Sequence, residues 1–270
     1  MKRLISSILF LTVFTVSYSQ NLTSKKGENY LPENGDWAIG LDATTFLNFA
    51  GNLINSGASA PSVAEPLFSQ TIYAKLFTSD NQALRATLGI NLLSNTDNSN
   101  VDGLESDGQL SGSKVINSVK QSSTLITLGL GKEFRRGSTR LQGFYGADAF
   151  MMLGSSSTTN TYGNSIKSEA LNNGTTSRDL EVKDGSTFGL MIRGFLGAEY
   201  FIAPKISISA ELGWGVGLSS SGDGSISSES YDFGDDSSSN SSTTSPGDSS
   251  FNITNDLGVS QGVLGLNLHF

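Results

Sequence analysis

The sequence predicts an all-β protein: an eight-stranded antiparallel up-and-down transmembrane β-barrel with short periplasmic turns and four long extracellular loops. Apolar residues recur at every second position in eight segments, which is the period of a strand with one apolar face. Short and long connections alternate between these segments, as in membrane barrels. After residue 20 no apolar run is long enough to cross a bilayer as a helix, so a membrane location requires a closed barrel.

The N-terminus has the pattern of a secretory signal peptide. A basic start at Lys2 and Arg3 precedes a mostly apolar segment, and Ser17 and Ser19 favour cleavage ahead of Gln20. The apolar segment is shorter than the roughly 20 residues of a transmembrane helix, and no cysteine follows it that could carry a lipid anchor. The predicted division is signal peptide 1–19, periplasmic N-terminal segment 20–35 and outer-membrane β-barrel 36–270.

The first four strands are predicted from apolar residues on alternate positions, with polar residues or glycine between them. Their approximate bounds, with representative apolar positions, are 36–47 (Trp37, Ile39, Leu41), 67–77 (Phe68, Ile72, Leu76), 83–93 (Leu84, Leu88, Ile90) and 122–134 (Ile126, Leu128, Leu130).

The last four strands follow the same rule. Their approximate bounds are 139–153 (Leu141, Tyr145, Met151), 186–202 (Phe188, Leu190, Ile192), 205–218 (Ile206, Ile208, Trp214) and 255–270 (Leu264, Leu266, Leu268). An even number of strands leaves both termini on the same, periplasmic side of the membrane.

The connections alternate in length. Tight turns are predicted near 79–82, 135–138 and 203–204, where turn-forming residues cluster. Long loops are predicted at about 48–66, 94–121, 154–185 and 219–254. The stretch 237–250 is low-complexity serine, threonine, asparagine and aspartate, with few apolar residues to order it.

Charged residues within the strands fall mostly on the face opposite the apolar one. These residues are Asp42, Lys75, Arg85, Glu133, Asp148, Arg193, Glu199 and Glu211. Both signs are present, so we expect an internal ion-pair network, and an eight-stranded barrel is just wide enough for side chains to fill it. The predicted lumen is therefore plugged or very narrow. Lys132 is the main charged exception on the outward face. An aromatic girdle is expected at the turn end, from Trp37, Phe134, Tyr200 and Phe270.

The last segment, 262–270, alternates apolar and polar residues and ends the chain on Phe270. It resembles the closing strand of bacterial outer-membrane β-barrels, where a terminal Phe signals to the barrel assembly machinery. The whole mature chain resembles small bacterial outer-membrane β-barrel proteins, and Gln20 with the Ser/Asn-rich loops resembles the Bacteroidetes type. This resemblance implies a Gram-negative outer-membrane location after export, with lipid and, through Phe270, the assembly machinery as partners. Members of the family stabilise envelopes, act as adhesins or assembly factors, or form narrow pores.

Candidate chemistry is sparse. Outer-membrane enzymes that resemble this layout use His near the extracellular rim, whereas the one histidine, His269, is predicted to point inward near the periplasmic end. The acidic residues Asp232, Asp235 and Asp236, with Asp223 and Glu229 upstream, could hold Ca²⁺, but their spacing matches no EF-hand loop and solvated loop charge is the favoured interpretation. We therefore predict no catalytic, cofactor or metal residues and no enzyme activity.

Composition restricts the partners. Formal net charge is −8, which disfavours nucleic acid, and the absence of cysteine excludes disulfides and thiolate chemistry. The favoured function is a structural or surface-interaction role through the long loops, with an unknown extracellular partner and a largely side-chain-filled interior. One alternative is a narrow pore or transporter for small solutes. The other, less favoured, is a soluble lipocalin-like barrel, which would have its apolar face inside and its charges outside.

Overall fold

The computed structural model describes residues 22–42, 71–255 and 263–270. The predicted signal peptide and the first long loop therefore lie outside the described residues. The elements are β1 (Trp37–Asp42), β2 (Thr71–Ser79), β3 (Gln82–Leu104), β4 (Leu110–Arg136), β5 (Leu141–Thr161), α1 (Ile166–Asn173), β6 (Ser177–Lys183), β7 (Thr187–Ala203), β8 (Ile206–Ser221), β9 (Gly224–Asp232), β10 (Ser237–Ser245), β11 (Ser249–Asn255) and β12 (Val263–His269).

Eight strands close into a ring, in the order β1, β2, β3, β4, β5, β7, β8 and β12. Every neighbouring pair in the ring is antiparallel. The ring closes where β1 meets β12, with Leu41 opposite Leu266. Closure gives each of these strands a partner on both sides, which removes the free edges of an open sheet. The predicted all-β barrel is confirmed.

The remaining strands continue the wall of the ring, each following on from one of its eight strands. β6 and β7 both pair with β5, through Lys183 opposite Ser157 and Thr187 opposite Gly154. β9 likewise follows β8, because β9 pairs with β6 while β8 pairs with β7. β10 and β11 then pair with β9 and β8 in turn. The barrel wall therefore continues well beyond the eight-stranded ring on the side of the long connections, which we call the loop end.

The prediction of long loops at 94–121, 154–185 and 219–254 is wrong, because these segments contain regular secondary structure. These segments carry the outer parts of β3, β4 and β5, all of β6, β9 and β10, and the helix α1. The serine-rich stretch 237–250 is also ordered, because β10 pairs with β9 along its whole length. The sequence did not predict this strand because both of its faces are polar. Apolar residues at every second position identify a strand only where one face is buried or contacts lipid.

The opposite end of the barrel, the turn end, is closed by tight connections. β2 joins β3 through two residues, 80–81, and β7 joins β8 through Pro204 and Lys205. The β4–β5 turn comprises 137–140, two residues later than predicted. The N-terminal segment packs against these turns: the Arg140 guanidinium lies 3.9 Å from the Tyr30 ring centroid, and Lys205 pairs with Asp36.

Polarity is inverted relative to a soluble domain. Large apolar side chains point outward, where Leu130 is 73% exposed and Ile192 is 64% exposed. Charged side chains point inward, where Glu133 and Glu199 are fully buried. A lipocalin-like barrel requires the reverse arrangement, so the geometry excludes that alternative. Among the described residues, no helix is both long and apolar enough to cross a membrane.

Aromatic side chains surround the outside of the turn end. Trp37 stacks on Phe270 with ring centroids 4.4 Å apart, and Phe134 stacks on Tyr145 at 5.6 Å. Tyr200 is exposed at the same end. The residues predicted for the girdle thus lie together on the outward face.

Candidate functional site: the filled barrel interior

The interior of the ring is built by the alternation of side chains along its strands. Period two places the charged residues of neighbouring strands on the inward face, at heights fixed by the register. The inward set on the turn-end half is Lys75, Arg85, Glu133, Arg135, Asp148, Arg193, Glu199, Glu211 and His269, all buried. We call this set the charged core. Asp42 was also predicted to point inward, but its side chain lies outside the described residues.

Glu199 organises the part of the charged core nearest the turn end. Its carboxylate lies 2.7 Å from Nη1 of Arg135 and 3.6 Å from Nζ of Lys75. Asn267 donates from Nδ2 to the same carboxylate at 3.0 Å, and the Ser207 hydroxyl also donates to it. Multiple donors are what a fully buried carboxylate needs to remain ionised in a protein interior.

Glu211 organises the part farther from the turn end. Arg193 approaches it with Nη1 at 2.6 Å, and Arg85 approaches its other oxygen at 2.8 Å. Both guanidinium groups also lie near Asp148, at 3.5 Å and 3.6 Å. Two cations and two carboxylates therefore neutralise each other in one layer of the lumen.

Glu133 connects the two parts. It lies 2.8 Å from Arg135, 3.0 Å from Lys75 and 3.6 Å from Arg85. The four lysine and arginine side chains of the charged core thus face four carboxylates, so the formal charges of these eight residues balance. The predicted ion-pair network is confirmed.

Aromatic rings fill the space between the ions. The Arg85 guanidinium lies 4.0 Å from the Phe195 ring centroid, and Lys75 lies 5.0 Å from that of Phe144. Phe77 and Phe201 lie below the ions at the turn end and are 1% and 0% exposed. Cation–π contact and packing together fill this half of the lumen with side chains, as predicted.

Arg135 was missed as a core residue because the sequence assigned it to a turn. In the structure it lies on β4 two positions from Glu133, and therefore on the same face. Its Nε and Nη2 donate to Gln142 Oε1 at 2.9 and 2.7 Å. The parity with Glu133 was the signal that could have identified it.

His269 points into the lumen at the turn end, as predicted. Its Nε2 lies 3.1 Å from the Ser207 hydroxyl and 3.2 Å from Glu199, whereas its Nδ1 has no hydrogen-bond partner among the described residues. A Ser-His-acid triad uses one ring nitrogen for the serine and the other for the acid. These three residues share a single nitrogen and are fully buried, so they do not have the geometry of a triad.

The comparison with protein families gives one match. A family model described as the Putative OmpA-OmpF-like porin family matches residues 68–214. This is more than half of the 270 residues. The chain belongs to this family. No curated protein matches the chain.

Membership of the OmpA-OmpF-like porin family supports an outer-membrane β-barrel with a porin-like role and an outer-membrane location. The matched residues include every acidic and basic member of the charged core, from Lys75 on β2 to Glu211 on β8. They exclude β1 and β12, where the ring closes. The family match therefore coincides with the interior that the structure fills.

Four of the five acidic residues considered for Ca²⁺ are engaged elsewhere in this porin-family barrel: Asp223, Glu229, Asp232 and Asp236. Asp236 pairs with Lys167 and accepts from the Tyr231 hydroxyl at 2.5 Å, while Glu229 accepts from Arg178 Nε at 2.6 Å. Asp223 and Asp232 accept backbone N–H groups, and no cluster of three or more potential ligands occurs in the described part of the chain. These carboxylates hold the loop end together rather than converging on one point.

The pKa of Asp236 is lowered below its ordinary value of 3.8 by the hydrogen bond from Lys167, then by the one from Tyr231. Lys167 lies on α1, whereas Asp236 lies in the β9–β10 turn. This pair therefore links the helix to the hairpin that the low-complexity stretch forms.

The described residues leave a cavity in the loop-end half of the interior. A cavity of about 550 Å³ lies there, lined among others by Ser123, Leu125, Ser156, Thr187 and Ser221. Each of these residues is an even number of positions from a charged-core residue on its own strand, so all share the inward face. The described part of the barrel thus combines a filled turn-end half with a cavity in its loop-end half.

Proposed function

We propose that this protein spans the outer membrane as a sealed barrel and serves a structural or surface-interaction role through its extended loop end. The observation that carries the proposal is the charged core. Ion pairs and aromatic rings occupy successive inward positions across the ring, and an outer wall that is largely apolar surrounds them. A continuous water path through these layers would require several buried ion pairs to separate, at a cost of several kcal/mol for each charge left unpaired.

The height of the outward apolar band supports membrane insertion. On β7 the band runs from Phe188 to Tyr200, which are twelve positions apart. At about 3.3 Å per residue this is about 40 Å of strand, or about 30 Å of height when the strand tilts by about 40°. That height is close to the band of about 25 Å found in outer-membrane barrels. Lys132, at the turn-end margin, can extend its ammonium group to the interface.

The proposed orientation places the turn end in the periplasm and the loop end outside the cell. Both ends of the ring, β1 and β12, start or finish at the turn end, which suits a chain delivered to the periplasm after cleavage of residues 1–19. Phe270 would then be available to the assembly machinery. The proposal includes a Gram-negative host of the Bacteroidetes type and no enzymatic step or cofactor.

The loop end supplies the proposed contact surface. β3 continues from Leu93 to Leu104, about 36 Å at 3.3 Å per residue, beyond the apolar band. α1 covers part of this wall and is pinned there by Arg178, which pairs with Glu169 at 2.8 Å and with Glu229 at 2.6 Å. A rigid projection can present its surface to a partner without ordering a flexible loop first.

Orientation can be tested by cysteine labelling, because the chain has no native cysteine. Ser241→Cys on β10 is expected to react with a membrane-impermeant maleimide on intact cells. Ser138→Cys in the β4–β5 turn is expected to react only after the outer membrane is permeabilised. Equal labelling of both variants on intact cells, or the reverse order, would contradict the proposed orientation.

Sealing can be tested by planar-bilayer recording of the purified protein, with heat-denatured protein as the control. A sealed barrel gives no stable conductance steps above the control. The alternative of a narrow pore is favoured by the porin-like family to which the chain belongs. Reproducible steps that disappear on heat denaturation would establish that alternative and overturn sealing.

A further inference from the structure

At one height of the barrel wall, three neighbouring strand positions are interrupted by short non-strand segments. β6 passes to β7 through 184–186, β8 to β9 through 222–223, and β10 to β11 through 246–248. Glycines bring the backbones together there: a Cβ added at Gly185 would overlap the carbonyl oxygen of Gly222, and one at Gly247 would overlap that of Ser221. Larger residues could not replace these glycines without moving the chain. The interruption is thus a specific feature of the wall.

The cavity of about 550 Å³ lies against this interruption, on the inward face. Its size falls within the range of small-molecule sites, about 300–1,000 Å³. Toward the turn end the next inward positions are Met152 and Phe150 on β5, and Gly189 and Met191 on β7, followed by the charged core. The cavity is therefore a cup with an apolar and ionic floor rather than part of a channel.

The described lining of the cup is rich in hydroxyl groups. Ser123, Ser156, Thr187 and Ser221 present groups that both donate and accept hydrogen bonds. Leu125, Val182 and Ile226 contribute apolar patches among them. A lining of this kind suits a ligand that carries many hydroxyl groups on a C–H framework.

Three charged residues line the cup: Lys183, Asp184 and Asp248. Lys183 pairs with Glu181 at 2.8 Å, and Asp184 accepts a hydrogen bond from the Ser156 hydroxyl. No group of three or more potential metal ligands is found among the described residues, and the chain is acidic overall. The lining therefore offers neither the excess of positive charge that an anion needs nor a cation site.

From this geometry we infer that the cup binds a neutral disaccharide. The inference deepens the proposed surface-interaction role by naming a ligand class for the loop end. It depends on that role only for its biological meaning, because binding in detergent solution requires neither orientation nor sealing. The conductance experiment can therefore contradict the proposed sealing without affecting the inferred saccharide binding, and the binding experiment can contradict the inference without affecting the sealing.

The test uses the full mature chain in detergent and saturation-transfer NMR with maltose, cellobiose, trehalose and lactose as probes. Glucuronate and glucosamine serve as the anionic and cationic comparisons. Gly154→Tyr fills the cup: a Cβ at Gly154 meets Leu125, the Thr124 carbonyl oxygen and Thr187 at 3.5, 3.6 and 3.7 Å, which are ordinary contact distances, so the backbone need not move. Ser220→Tyr is the matched control, because Ser220 lies at the same height on the outward face.

We expect at least one neutral disaccharide to bind, and Gly154→Tyr to weaken its binding by about tenfold or more while Ser220→Tyr leaves it unchanged. Thr187→Val, which removes one hydroxyl at nearly constant volume, is expected to weaken binding less. Heat-modifiable migration on a denaturing gel shows that each variant is folded. Absence of transfer to all four disaccharides, preference for the charged sugars, or equal binding by the two tyrosine variants would overturn the inference.

Discussion

Single buried carboxylates hold the interior of this porin-family barrel together. Glu199 is fully buried. Its carboxylate forms ion pairs with Arg135 and Lys75 and accepts hydrogen bonds from Asn267 and Ser207. Burying its charge costs several kcal/mol, which these partners offset. Because the partners are themselves buried, removing the carboxylate leaves two cations without one of their counter-ions.

Replacing Glu199 should therefore be costly. We expect Glu199→Ala to lower the free energy of unfolding by about 3–5 kcal/mol, because the remaining charges become uncompensated. Urea titration of protein folded in lipid vesicles, followed by gel mobility without boiling, measures the change. The control is Glu181→Ala, which removes an exposed pair with Lys183 and should cost at most about 1 kcal/mol. Similar losses in both variants would show that burial of Glu199 is not what makes it important.

Residue positions could be predicted only where alternation was unambiguous. Lys75, Arg85 and Glu211 were placed inside by their apolar neighbours, whereas Arg135 was taken for a turn residue next to Gly137. Specific partners were beyond reach, because the sequence gives the parity of a residue but not the stagger of its strand against the next. Glu133 meets Arg85 as well as Arg135 only because the register fixes their heights.

At the scale of elements, the barrel contains two kinds of strand. Some have an apolar outward face, and others are polar on both faces and are ordered by backbone pairing with a neighbour. β7 presents Leu190 and Ile192 outward and was predicted almost to its limits. β10 presents serine, threonine and asparagine on both faces and was predicted to lie in a long low-complexity loop. Its order comes from its pairing with β9, a relation between segments that a local reading of composition does not contain.

The outward face of the strands should respond to charge according to depth. Leu88→Arg, in the middle of the outward apolar positions Leu84 to Leu92 of β3, is expected to destabilise the folded barrel by about 2–4 kcal/mol in lipid. Leu141→Arg, at the turn-end start of β5, should cost only about 0–1 kcal/mol because the side chain can reach the interface. Vesicle refolding titrations compare the two variants. Equal costs at both depths would argue that neither side chain faces hydrocarbon.

The attachment of the β9–β10 hairpin to α1 should weaken in acid. The Lys167 and Tyr231 hydrogen bonds lower the pKa of Asp236 below 3.8, so their stabilising effect is complete above that value and is lost as pH falls through the lowered pKa. Hydrogen exchange of β9 and β10 should therefore accelerate below about pH 4, relative to the ring strands. In Asp236→Asn the acceleration should already be present at neutral pH. An unchanged exchange rate in that variant would show that the contact does not hold the hairpin.

At the scale of the whole molecule, the described residues form a barrel whose turn-end half is filled by its own side chains. Fold class followed from the sequence because period two, turn spacing and an even strand count are properties of the entire chain. The loop-end cup did not, because the three interruptions that border it lie in segments without an apolar period. In the sequence, the serine and threonine residues that line the cup resemble ordinary loop residues. Only the pairing of the strands places their hydroxyl groups on one inward face.

The seal should consist of independent layers. Phe77 and Phe201 close the turn end, while Arg193 and Glu211 close the lumen farther up. The double variant Phe77→Ser with Phe201→Ser keeps the ionic layer, and Arg193→Ser with Glu211→Ser removes one charge of each sign and keeps the aromatic layer. We expect both double variants and their fourfold combination to remain silent in planar bilayers, because the ion pairs of Lys75 and Arg135 with Glu133 and Glu199 still fill the lumen between the two layers. Conductance in either double variant alone would mean that one layer forms the whole seal. Heat-modifiable migration must accompany each recording, since an unfolded barrel would also be silent.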